Sequence, residues 1–186
     1  VSLLRFLEPA GIIPLALINK KFGPCAPLLS GLAKKGCVGF EMREVYRDPL
    51  SGETVVCEER RAPTPEQQKV LTSIREAIKS GVYAPFLLHG VTGSGKTEVY
   101  LASVEDVLKQ GREALVLVPE ISLTPQLVGR FQSRFGDAIT VLHSRLSPGE
   151  RYDGWRRIKK GLVKVAIGTR SAIFAPFTRP GIIVVD

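Results

Sequence analysis

Metal-binding and redox side chains are scarce in this sequence. Its three cysteines, Cys25, Cys37 and Cys57, lie twelve and twenty residues apart with no C-x-x-C pair, and the two histidines are His89 and His143. A metal cluster is not expected from such spacing. An odd number of cysteines suits a reducing cytoplasm better than a disulfide framework, and free, buried or half-buried thiols are the expected state. Long apolar runs are also missing. The longest uncharged apolar stretch, Pro9 to Asn19, contains Pro14 and is too short for a membrane span. No basic-plus-apolar leader precedes it, so neither a membrane nor secretion is expected. The first residue, Val1, is not Met, which points to a piece of a longer protein.

With 44% hydrophobic and 24% charged residues the chain has the balance of a folded globular protein. Net charge is +8, and it is uneven. Residues 1–63 carry nine basic and seven acidic groups, and the remaining residues seventeen and eleven. Between Arg145 and Lys164 seven basic residues face only Glu150 and Asp153. Such a stretch either attracts phosphate backbones through counterion release or forms a solvated helix face.

Pattern divides the chain near Arg60–Pro63, into domains 1–61 and 62–186. In the first, short helices are expected at Ser2–Leu7, Pro14–Lys21 and Pro27–Lys35. The last would turn Leu28, Leu29 and Leu32 to one face and stop at Gly36. Strands are expected at Val38–Arg47 and Glu53–Glu59, joined by the Asp-Pro-Leu-Ser-Gly turn. Three helices and a hairpin make a winged-helix-like α+β domain.

In the second, a helix with Val70, Leu71, Ile74 and Ile78 on its apolar face precedes alternating strands and helices. Strands are expected at Phe86–His89, Ala114–Val118, Ile139–Leu142, Val163–Ile167 and Ile182–Val185. Helices are expected at Glu98–Lys109, Pro125–Phe135 and Pro148–Lys160. Unbroken apolar strands such as Leu115–Val118 and Ile182–Val185 imply burial on both faces, in a parallel sheet flanked by helices.

Gly90-Val-Thr-Gly-Ser-Gly-Lys-Thr97 matches the phosphate-binding pattern G-x-x-x-x-G-K-[ST] at every fixed position. Gly90, Thr92, Gly93, Ser94 and Gly95 would curl the backbone so that amides converge on phosphates at a helix N-terminus. Lys96 would supply charge to the β- and γ-phosphates, and Thr97 a hydroxyl to Mg²⁺. Asp186, ending the apolar strand Ile182–Val185, is placed to complete the Mg²⁺ shell. Lys96 and Asp186 are thus the catalytic candidates, and ATP with Mg²⁺ the expected ligands.

Thr64-Pro-Glu-Gln67 supports two readings: a helix capping box, with Gln67 reaching back to the cap, or an adenine-reading glutamine. Ser147-Pro-Gly-Glu150 is a second capping box. A GTPase is disfavoured, because the only Asn-Lys pair, Asn19-Lys20, lies before the phosphate loop and lacks the Asp of N-K-x-D.

Four stretches, Gly90–Tyr100, Leu117–Gln126, Leu142–Arg151 and Ile167–Phe177, resemble successive motifs of the primosomal replication-restart helicases of superfamily II. Arg47–Gly52 resembles the wing that precedes their motor. The resemblance covers nearly the whole chain and is weakest over Val1–Lys35. It implies a RecA-like motor lobe, incomplete here, and a cytoplasmic, monomeric ATP-dependent helicase acting on single-stranded and forked DNA. Single-strand-binding protein and primosome-loading proteins are implied partners. Gln67 corresponds to the family's adenine-contacting glutamine.

Pro119, Glu120 and Thr124 fall in a motif resembling Ia, and Thr169, Arg170 and Ser171 in one resembling Ib, both along the single-strand track. Thr124 with Pro125 also reads as a helix cap. Arg156, Arg157, Lys159 and Lys160 are expected to extend that track, leaving residues 1–61 little DNA affinity. The family's second lobe, its zinc-bearing cysteines, its 3′-end-binding domain and the acidic residue after Asp186 are not in this sequence, so the 186 residues alone are expected to be inactive. A DNA-bound ATPase switch is the alternative to a motor.

Overall fold

The computed structural model describes residues 2–8, 11–42, 46 and 62–186, which fall into two compact units, 1–45 and 46–186. The wing strand Glu53–Glu59 and the turn before it lie outside the described residues. Val38–Met42 lies inside them and forms no strand.

The first unit is built from α1 (Ser2–Leu7), α2 (Leu15–Phe22) and α3 (Ala26–Lys34). Leu3, Ile18, Cys25 and Leu29 form its core, with Leu7, Ile13 and Leu32 packed against them. Leu28 departs from expectation: it is 57% exposed. It precedes Leu29 by one residue, about 100° around a helix, which carries it off the buried stripe. Cys37 is exposed rather than buried, because it lies beyond α3 and its amide only closes the helix end on Leu32.

The second unit is an α/β layer structure with a RecA-like arrangement. It contains α4 (Pro65–Ser80), α5 (Lys96–Lys109), β1 (Glu113–Leu117), α6 (Pro125–Phe135), β2 (Ile139–Leu142), α7 (Pro148–Lys159), β3 (Val165–Gly168) and β4 (Pro180–Val185). Among the described residues all strand pairs are parallel, in the order β2-β3-β1-β4. Alternation along β1 sends Ala114 and Val116 to one face and Leu115 to the other. Leu101 and Val104 of α5 and Val128 and Phe131 of α6 cover the first face; Ile158 of α7, Val163 and Ala172 pack on the second. Burial on both faces explains why β1 reads as an unbroken apolar run. Helix α4 lies outside α5, through Leu71 against Val99 and Ala102.

Within this second unit two expectations about strands fail. Phe86–His89 is not a strand, and Leu87 is 95% exposed. An apolar run becomes a strand only by pairing, and among the described residues this one has no ladder partner. Strand β4 is not buried on both faces: Val184 faces the core, whereas Ile183 and Val185 are 56% and 74% exposed. Among the described residues it pairs only with β1, and neither α7 nor the short helical turn Arg170–Phe174 packs on it. No described helix is long and apolar enough to cross a membrane.

Candidate nucleotide site

In a parallel sheet with antiparallel crossover helices, every helix N-terminus gathers at the carboxyl edge of the strands. Here that edge carries the phosphate loop, the ends of β1, β3 and β4, and two clefts.

The loop enters α5 through Gly95, whose backbone has φ +82°, with Gly93 at φ +84°. A side chain at either would be strained, and at Gly95 a Cβ would also collide with the Gln67 amide. The amides of Lys96 and Thr97, at the start of α5, have no carbonyl to bond within the helix. The Lys96 ammonium folds back over the loop, donating to the carbonyls of Gly90 at 2.7 Å and Val91 at 3.0 Å.

Both readings of Gln67 converge on this place. Its Oε1 accepts from the Thr64 amide at 2.9 Å, and its own amide donates to Thr64 Oγ1 at 3.3 Å, completing a capping box on α4. Its Nε2 turns to the loop, donating to the carbonyls of Ser94 and Gly95 at 3.3 and 3.4 Å. Thr64, Gln67, Val70, Leu88, His89, Gly90, Ser94 and Lys96 line a cleft of about 380 Å³. Thr92 stands exposed at the loop's crest.

Asp186 ends β4, its amide donating to the Leu117 carbonyl at 2.9 Å. Its carboxylate accepts from the Tyr100 hydroxyl at 3.1 Å. Burial, followed by that hydrogen bond and the carboxylate's charge, pushes the Tyr100 phenol up to about 12. Tyr100 stands one turn along α5 from Lys96 and Thr97, so one helix joins the loop to Asp186. Sequence reading gave Tyr100 no role; it lies inside the motif that carries the resemblance, but nothing local reveals a hydrogen bond spanning 86 residues.

Elsewhere α5 is locked in place. Arg134 of α6 donates to Glu98 and Glu105, and Arg75 of α4 to Asp106 at 2.6 Å. Burial raises the Glu105 carboxyl, but hydrogen bonds with Lys109 and Arg134 outweigh it and hold it below its usual range.

A second cleft, about 590 Å³, opens between the ends of β1, β3 and β4, lined by Pro119, Glu120, Thr169, Arg170, Ser171 and Asp186 among others. The two motifs resembling Ia and Ib therefore meet. Glu120 is an unexpected charge to find beside phosphates; its carboxylate accepts from the Ser144 hydroxyl at 2.5 Å. His143, at the end of β2, is held below its usual pKa by burial and then by Arg145. Thr124 caps α6, accepting from the Leu127 amide at 3.3 Å; Ser147 and Glu150 cap α7 in the same way.

The basic residues at the end of α7, with Lys160 just beyond it, are not brought to this cleft. Helix α7 runs antiparallel to the strands, so Arg156, Arg157, Lys159 and Lys160 lie at the amino edge of the sheet. Arg157 there donates to the Asp137 carbonyl, just before β2, at 3.3 Å. Lys160 bonds the Tyr46 hydroxyl at 2.9 Å, Lys159 lies over Trp155 and Arg156 over Tyr152. The spacing along the chain hid this, because helix α7 carries the chain from the carboxyl edge to the amino edge of the sheet between Arg145 and Lys160.

The DEAD/DEAH box helicase family model matches residues 64–186. The chain is 49% identical over 188 residues to Replication restart protein PriA of Bacillus subtilis (strain 168), an alignment covering 100% of this chain and 23% of that protein. It is 46% identical over 164 residues to the PriA of Synechocystis sp., covering 88% of this chain and 19% of that protein. Against the PriA of Haemophilus influenzae it is 42% identical over 162 residues, covering 84% of this chain and 22% of that protein. It thus spans about a quarter or less of the length of these relatives.

Proposed function

This chain belongs to the DEAD/DEAH box helicase family, and we propose that it forms the ATP-binding part of the first motor lobe of a replication-restart DNA helicase. The observation that supports this best is the phosphate loop at the head of α5, with Asp186 tied to the same helix through Tyr100.

The residues present fit a nucleotide and its cation. The Lys96 ammonium already occupies a position over the loop's carbonyls, and the amides opening α5 lack intrahelical partners. Thr97 and Asp186 offer the oxygen donors that Mg²⁺ prefers. When bound, the ion would neutralise charge between the phosphates. Gln67 is already hydrogen-bonded to the loop, so reading adenine would require it to exchange one of its present partners. The unit 1–45 and the residues after it are proposed to dock DNA weakly, with the domain boundary near residue 61.

Turnover needs a positioned water and positive charge on the γ-phosphate at the transition state, the latter worth about 10³–10⁵ in rate when an arginine supplies it. Residues 1–186 are proposed to bind nucleotide without useful hydrolysis. A phosphate-release assay, with and without single-stranded DNA, should show background rates for these residues and DNA-stimulated turnover for the longer protein. DNA-stimulated turnover by residues 1–186 alone, abolished in Lys96→Ala, would refute the division of labour. A longer protein whose turnover ignores DNA would favour the ATPase switch.

The carboxyl-edge cleft, with Thr169, Arg170 and Ser171, is the proposed single-strand track, and the basic end of α7 a separate phosphate-binding surface. Neutralising Arg156, Arg157, Lys159 and Lys160 together should weaken binding to an oligonucleotide and flatten its salt dependence, by roughly 0.7 in slope for each phosphate no longer neutralised. Arg170→Ala should reduce affinity additively with that change, because the two surfaces lie on opposite edges of the sheet. Equal binding by the four-site variant at all salt concentrations would remove α7 from the interface.

A further inference from the structure

Asp186 is exposed at the end of an edge strand. Its backbone is fixed by one hydrogen bond to Leu117, which leaves its side chain free to turn about its own bonds. The Tyr100 hydroxyl, 3.1 Å from Oδ1, restrains it. The Tyr100 ring is half-buried against the main core beside α5, so packing of the helix sets where that hydroxyl sits. Tyr100 is three residues from Thr97 and four from Lys96, the spacing that stacks side chains on one helical face. A carboxylate has lone pairs on two oxygens, so a bond to Oδ1 leaves Oδ2 available.

We propose that Tyr100 is a positioning residue: its hydroxyl holds the Asp186 carboxylate in register with the phosphate loop, so that the nucleotide's divalent cation meets a carboxylate already in place. This rests on the nucleotide reading above. Tyr100 touches neither nucleotide nor cation. It acts through Asp186, and its contribution is to the cation-dependent part of nucleotide affinity.

The test is titration of the 186-residue chain with a fluorescent ATP analogue, in Mg²⁺ and in EDTA, beside a circular-dichroism melt. Tyr100→Phe keeps the ring and removes only the hydroxyl. It should bind as the unsubstituted chain does in EDTA and lose about tenfold of the affinity gained in Mg²⁺, the size expected for a hydrogen bond to a charged group. Asp186→Asn should lose at least as much of that gain, and adding Tyr100→Phe to it should cost nothing more. A full Mg²⁺ gain in Tyr100→Phe, additive losses in the double variant, or no Mg²⁺ gain in the unsubstituted chain would each overturn the proposal. If Tyr100→Phe fails to melt cooperatively, Tyr100→Leu carries the same test. Failure of both to fold would overturn it too, by making the hydroxyl part of the fold. Lys96→Ala separates the two readings: if it abolishes binding while Tyr100→Phe keeps its Mg²⁺ gain, the nucleotide site stands and only the role of Tyr100 falls.

Discussion

Lys96→Ala should lower the affinity of this chain for Mg-ATP by about a hundredfold or more. That size follows from removing an ammonium that bonds charged phosphate oxygens, about 3 kcal/mol in total, where each 1.4 kcal/mol is tenfold. The ammonium is already committed to the loop, 2.7 Å from the Gly90 carbonyl and 3.0 Å from that of Val91. It therefore need only exchange these neutral acceptors for charged ones when nucleotide arrives. The loop should survive the substitution, because its shape is set by Gly93 and Gly95 and by Gln67 bonded to the Ser94 and Gly95 carbonyls. Fluorescent-nucleotide titration, with a melt to confirm folding, measures the effect. Affinity unchanged in a folded variant would mean that phosphates bind elsewhere.

Gly168→Ala should be among the most destabilising single-methyl changes available to the chain. Gly168 lies between two strands, paired with Leu117 of β1 and Leu142 of β2. A Cβ there would press into the Leu142 carbonyl oxygen and come within 2.7 Å of Ala172 Cβ. Neither neighbour can yield cheaply. The Leu142 carbonyl accepts from the Thr169 amide at 3.1 Å, and Ala172 is buried with its amide donating to the Thr169 carbonyl at 2.8 Å. Overpacking a rigid site costs about 3 kcal/mol, which for a domain this size lowers Tm by roughly 6–12 °C. Gly129→Ala on α6, where nothing lies within 4 Å of the added methyl, should instead raise Tm slightly, because alanine is the better helix former. Calorimetry of the pair separates crowding from a general intolerance of substitution. Since Thr169 to Ser171 follow directly, nucleic-acid affinity should fall with Gly168→Ala as well.

What could be read from the sequence was what depends on neighbours along the chain. The capping boxes of α4 and α7 and the Thr124 cap are local patterns, and each formed as spaced. The β1 strand was legible because burial on both faces leaves a continuous apolar run. The same inference failed for β4, whose identical texture ends at a sheet edge with Ile183 and Val185 exposed. Texture reports what a strand could bury; its position in the strand order decides what it does bury. Phe86–His89 failed for a related reason, since no ladder partner stands beside it among the described residues. Site geometry was half legible. The motifs containing Glu120 and Arg170 converged on one cleft, but the basic end of α7 went to the opposite edge, because charge clusters in sequence carry no direction. The Tyr100–Asp186 bond could not have been found from spacing at all.

Hydrogen–deuterium exchange of the chain with and without Mg-ATP locates the nucleotide without a substitution. New protection should fall on residues 90–97, on the start of α4 around Gln67 and at the end of β4, while the amides from Arg156 to Lys160 exchange unchanged. Protection absent from residues 90–97, or confined to α7, would contradict an ATP site at the head of α5.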